Sequence, residues 1–77
     1  MLQQFIFNQI CITLEKYAVE YKVKENVITV DKIEMEIYVD CFCGISIKYK
    51  NKLHYFHSCD LKDCFIYIIS KVEEKRE

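Results

Sequence analysis

The first third of the chain carries an apolar pattern of helical spacing. At about 100° per residue, Ile6, Phe7, Ile10, Leu14, Tyr17, Ala18 and Tyr21 fall on one broad face, which predicts an amphipathic helix over 2–23. Phe5, Ile12 and Val19 fall nearly opposite, spaced by seven residues and flanked by Asn8, Glu15 and Lys16. A helix packed on a single layer buries one stripe only. The second stripe is therefore assigned to self-association.

Beyond residue 26 the period drops to two. Val27-Ile28-Thr29-Val30 predicts a strand over 27–31, turning through Asp31-Lys32 into a strand over 33–39. In the latter Ile33, Met35, Ile37 and Val39 face the core, and Glu34, Glu36 and Tyr38 face away. Further strands are predicted over 45–50 and 53–58, joined by a two-residue turn at Asn51-Lys52, since Asn tolerates positive φ. That turn sets Lys50 opposite Leu53, Lys48 opposite Tyr55, Ile47 opposite Phe56 and Ser46 opposite His57.

Register between the second and third strands follows from two criteria. Placing apolar opposite apolar pairs Val39 with Ile45, Ile37 with Ile47 and Met35 with Tyr49. The same alignment sets Glu36 opposite Lys48 and Glu34 opposite Lys50, and opposite charges across strands are favourable. A final helix is predicted over 60–75. It is capped by Ser58 or Asp60, has acidic Asp63 in its first turn, and places Lys71, Lys75 and Arg76 towards its C-terminal end. Its buried face is Leu61, Phe65, Ile68 and Val72.

The order α-β-β-β-β-α predicts an α+β fold: a four-stranded antiparallel meander with both helices packed on one face. It looks superficially like a double-stranded-RNA-binding domain with an extra strand. The basic cluster that would open the final helix is missing, and the resemblance ends with the element order.

Length makes this one domain, 1–77, with a thin core and a charged tail at 73–77 expected to fray. Hydrophobic residues make up 52% of the chain, enough for a packed interior. The formal net charge is −1, and acids and bases balance locally as well as globally. A phosphate-neutralising surface shows a basic excess somewhere, so the balance weighs against nucleic acid as the main partner. No residue before Glu15 is charged, and the early apolar stretch is too short to span a bilayer, so neither a secretory leader nor a membrane anchor is expected. The compartment is then reducing: cytoplasmic, with the five cysteines present as thiols.

Phe, Tyr, Met, Ile, Asn and Lys supply 37 of the 77 residues, and Gly, Ala, Arg and Pro together only three. AT-rich codons encode the first set. The bias points to an AT-rich genome, such as that of a low-GC bacterium, its phages, or some eukaryotic parasites and viruses.

Residues 40–60, where three cysteines and both histidines concentrate, offer three chemistries. Cys41, Cys43, Cys59, Cys64 and His57 converge at one sheet edge in the expected register and are the candidate zinc ligands. Cys-x-Cys is a weaker signature than paired Cys-x-x-Cys, however, and these cysteines read equally as small packed or loop residues. No resident metal or other cofactor is predicted. Cys59, near a helix N-terminus and two residues from His57, is the candidate reactive thiol, but no orienting Asn or Asp accompanies it. No catalytic residue is assigned. Lys48, Lys50 and Lys52 alternate with Tyr49, and with His54 and Tyr55 resemble a single-strand-binding hairpin. Glu34 and Glu36 neutralise the first two lysines, and Tyr49, His54 and Phe56 point to the core side.

What the core does not absorb is apolar surface: Tyr38, Leu53, Tyr55 and His57 on the open sheet face, and Phe42 at its loop tip. Such patches mark protein contacts. The sequence therefore predicts a non-enzymatic module that binds a protein partner and inhibits by occlusion, with a homodimer through Phe5, Ile12 and Val19. Size and codon bias suggest a phage or mobile-element inhibitor of a host defence complex, such as an anti-CRISPR protein, acting in the host cytoplasm. The rival class is a nucleic-acid-binding or zinc-binding regulator.

Overall fold

The computed structural model describes residues 2–76, with side chains as far as Glu74. Helix α1 spans Leu2–Lys16 and helix α2 spans Leu61–Arg76. Between them lie β1 (Lys22–Lys24), β2 (Val27–Val30), β3 (Met35–Val39), β4 (Ile45–Tyr49) and β5 (Lys52–Phe56). All pairings are antiparallel and sequential, in the order β1-β2-β3-β4-β5. The α+β meander is as predicted, with five strands instead of four.

The extra strand comes from the shorter first helix. Ala18 adopts a left-handed conformation at φ 57°. Its N–H donates to Glu15 O at 3.0 Å, and the Val19 N–H donates to Leu14 O at 2.9 Å. This pair of bonds satisfies the last carbonyls of the helix, a cap usually built on glycine. Val19 then folds back against the core, and Tyr21 donates a 2.5 Å hydrogen bond to Glu15 Oε2. Residues 22 and 23, expected as the helix end, are released with Lys24 to pair with β2, Val23 opposite Ile28. The stripe expected along α1 is thereby cut. Phe5 and Ile12 stay exposed, whereas Val19 lies beyond the helix and packs inward.

The β3–β4 register is the one both sequence criteria selected, with Val39 opposite Ile45, Ile37 opposite Ile47, Met35 opposite Tyr49 and Glu36 opposite Lys48. Glu34 does not extend it. A 3-10 turn at Asp31–Ile33 replaces the expected two-residue reversal, and Glu34 closes that turn at φ 53°. The β4–β5 turn sits one residue earlier than expected, at Lys50 (φ 48°) and Asn51 (φ 67°). Two successive positive φ values make the turn whose twist matches a hairpin. Pairing therefore shifts by two: Lys48 faces Leu53, Ile47 faces His54, Ser46 faces Tyr55 and Ile45 faces Phe56. The shift brings Phe56 level with Ile45 and lets the Tyr55 ring reach Gly44. An even shift leaves every side chain on its expected face.

One face of the sheet carries the core. Ile28, Val30, Met35, Ile37, Val39, Ile45 and Ile47 are buried against Ile6, Ile10 and Leu14 of α1 and Cys64, Ile68 and Val72 of α2. The Gln3 side chain donates to Val39 O at 2.9 Å, tying the start of α1 to the end of β3. On the α2 side Tyr67 packs against His54, Phe56 and Tyr49, with ring centroids 4.8, 5.7 and 6.5 Å apart. Helix α2 is entered through a 3-10 turn at Ser58–Asp60, capped by the His57 side chain and not by Ser58 or Asp60. It continues to Arg76. Glu77 and the side chains of Lys75 and Arg76 lie outside the described residues. Among the described residues no helix is long and apolar enough to cross a membrane.

Candidate functional site: the open sheet face

With both helices on one side, the other side of the sheet is uncovered. Register organises it into two rows. One runs Lys22, Thr29, Glu36, Lys48, Leu53; the other runs Lys24, Val27, Tyr38, Ser46, Tyr55. The end near the β2–β3 turn is charged, a depression lined by Asp31, Glu34, Glu36, Lys48 and Lys50. The other end is aromatic: Tyr38 is 44% exposed, Tyr55 60% and Phe42, at the tip of the β3–β4 loop, 84%, while Leu53, 72% exposed, ends the first row beside Lys48. Exposed aromatic area of this kind is uncommon on a surface that has no partner to cover it.

The loop that carries Phe42 is tightly built. Asp40 Oδ1 accepts hydrogen bonds from the N–H groups of Phe42 (2.9 Å) and Gly44 (2.8 Å). The Cys43 N–H donates to Asp40 O and the Asp40 N–H to Gly44 O. Cys43 takes a left-handed conformation at φ 63°. An aspartate that accepts from the backbone two residues on is a recurrent turn former, and here it holds an exposed phenylalanine in a fixed position.

Gly44 serves a different need. A Cβ there would fall 1.9 Å from Tyr55 Oη and 2.5 Å from its Cζ. The Tyr55 ring therefore lies diagonally across β4 over the bare glycine, an arrangement that fixes an aromatic ring on a sheet surface. Four of the five residues expected to bind a partner thus share this surface and its rim: Tyr38, Leu53, Tyr55 and Phe42. His57 follows the end of β5, exposed, with its imidazole turned to Cys59. Lys22, Lys24 and Val27 join the face through β1 and its turn. The polar pair Glu25-Asn26 between Val23 and Val27 was the signal for that turn.

The cysteine-lined edge does not close. Cys64 lies fully buried on the core side of α2, where burial pushes its thiol up to about 12. It cannot join the exposed Cys41 and Cys59 or the half-buried Cys43. Among the described residues, no three His, Cys, Asp or Glu side chains come together as metal ligands. Cys59 and His57 do meet: Cys59 Sγ is 3.3 Å from His57 Nδ1. The same nitrogen also accepts the Cys59 N–H at 3.4 Å, so the imidazole serves as a turn cap. The lysine-aromatic hairpin keeps Tyr55 alone on the open face, because Tyr49 is buried and His54 is packed on Tyr67.

Fold and surface together define a small α+β domain with one helix-covered and one open, partly aromatic sheet face. Compared with models of known protein families, with curated proteins and with solved structures, the chain matches none.

Proposed function

We propose that this chain is a non-enzymatic protein-binding module whose open sheet face docks on a protein partner and inhibits it by occlusion. The observation that supports the reading is the exposed apolar area of that face: Tyr38 and Tyr55 in one row, Phe42 on the hydrogen-bonded loop at their end, and Leu53 in the adjacent row. Tyr and Phe carry large area at low entropic cost and are enriched where proteins meet. The charged end, with Glu36 and Lys48 in one row, supplies a mixed-sign rim suited to orienting a partner. Small size and AT-rich coding make a phage or mobile-element inhibitor of a host defence complex, such as an anti-CRISPR protein, the specific form of this proposal, acting in the host cytoplasm.

A second reading has one observation in its favour. Tyr38 and Tyr55 share a row with Lys24, and Lys48 stands in the adjacent row, an arrangement on which single-stranded nucleic acid could stack. Co-expression with a defence complex, followed by an interference assay and affinity capture of its subunits, separates the two. Occlusion predicts restored phage growth, a captured subunit, and loss of both in Tyr38→Ala and Tyr55→Ala with the fold intact. Binding energy at such aromatic anchors falls by about 2 kcal/mol or more on truncation. Salt-sensitive oligonucleotide binding that is lost on charge reversal of Lys24 and Lys48, with no captured subunit, would overturn the proposal in favour of the nucleic-acid reading.

A further inference from the structure

We propose that β5 is a self-pairing edge, at which a second copy of the chain adds antiparallel about a two-fold axis at His54, making two five-stranded sheets one continuous sheet. The proposal concerns the strand edge and stands apart from the docking role of the open face.

The two edges of the sheet are unlike. β1 has three residues, two of them lysines, and Lys22 Nζ lies 3.3 Å from Asp31 Oδ2. Shortness and lysine are the means by which proteins keep edges from pairing. β5 has five residues, with Lys52 at its start as its one formally charged side chain and no proline. Its register with β4 runs through all five residues without a bulge.

Hydrogen-bond parity shows what this edge offers. Residues flanking a two-residue hairpin turn exchange both backbone bonds, and such pairs alternate along an antiparallel ladder. Tyr49 and Lys52 flank the turn, so Ile47–His54 and Ile45–Phe56 are the next bonded pairs. Leu53 and Tyr55 therefore aim their backbone N–H and C=O groups away from β4. Among the described residues no turn, loop or side-chain hydrogen bond takes them up.

The strand is complementary to itself. A two-fold axis at His54 sets Leu53 beside the partner's Tyr55, Tyr55 beside the partner's Leu53, and Lys52 beside the partner's Phe56. The outward groups of Leu53 and Tyr55 then meet their counterparts as bonded pairs, closing four backbone hydrogen bonds. On the open face the pairing joins aromatic to aliphatic side chains that are both largely exposed in one copy, a favourable cross-strand combination. No lysine faces lysine in it. The dimer also joins two apolar patches into one surface twice as wide. The interface is thus placed on the sheet edge and not on the helix stripe that Val19 has left.

Native mass spectrometry and sedimentation at about 100 μM, where even a micromolar dimer is mostly assembled, test the proposal. The wild type is expected as a dimer. Leu53→Pro removes an outward N–H and leaves the ladder with β4 intact. It is expected to be a monomer with unchanged far-UV circular dichroism. Should that variant fail to fold, a mixture of Leu53→Lys and Tyr55→Glu chains reads the register directly. Heterodimer several-fold above the statistical share is expected, because position 53 meets position 55 across the axis. A monomeric wild type at that concentration, a statistical mixture, or a dimer that survives Leu53→Pro but is lost in Phe5→Asp or Ile12→Asp would each overturn it.

Discussion

Tyr55 owes its position to its diagonal neighbour, Gly44. The ring lies where any side chain at residue 44 would have to be, and what it meets there is a bare Cα. Because the ring is itself well exposed, it can swing into solvent if displaced. Gly44→Ala is therefore expected to cost about 1 kcal/mol or less in folding stability while moving the aromatic group that the proposed partner would contact. A thermal melt within a few degrees of wild type, beside a shifted Tyr55 ring signal in NMR spectra and roughly tenfold weaker capture of the partner, is the expected result. A large loss of stability would mean that the ring has nowhere else to go. Tyr38, two strands over, has no such dependence on a neighbour's missing side chain.

Among the elements, α1 is the one whose length the apolar pattern overstated. Its helical period runs on through Tyr17, Ala18 and Tyr21, and nothing local marks the stop, because the left-handed cap residue is an alanine. Glycine at that position avoids the Cβ clash of the left-handed region. Ala18→Gly is expected to stabilise the domain by about 0.5–1 kcal/mol, raising the melting temperature by several degrees, as differential scanning calorimetry would register. The same glycine poverty left the β4–β5 turn one residue from its expected place, at Lys50 and Asn51, and it hid β1 behind an apparent helix. What could be read were the features set by period and charge together. The alternation of β3 and β4, with Glu36 facing Lys48, determined both register and faces, and so placed Tyr38, Leu53 and Tyr55 on the open side. Whether the cysteines gather was not legible, because it depends on the β4–β5 pairing and on the facing of Cys64. A slip of two residues preserves faces but changes neighbours.

For the molecule as a whole, Cys64 links the core to pH. Its thiol is raised from 9.0 to about 12 in the folded chain by burial. In the unfolded chain it ionises first as pH climbs, so there the unfolded state binds fewer protons and stability falls. The contribution is complete below about pH 9 and is lost progressively through about pH 12, at up to about 1.4 kcal/mol per pH unit. Urea unfolding at stepped alkaline pH should show this slope, and Cys64→Ala should reduce it, with Cys11, Tyr21 and Tyr67, which are likewise raised, carrying the remainder. The sequential strand order has a consequence of another kind, in how the chain reaches this state. Each strand pairs with its neighbour in sequence, across connections of two to five residues, so closing each hairpin costs little chain entropy. The long closure is the docking of α1, whose Gln3 reaches a carbonyl 36 residues away. Mostly local contacts and a proline-free chain favour rapid folding, on the order of milliseconds, without the slow phase that prolyl isomerisation imposes. A freshly made chain would thus spend little time with its strand edges bare, and β5, the last strand synthesised, would present its free edge on a sheet already assembled beside it.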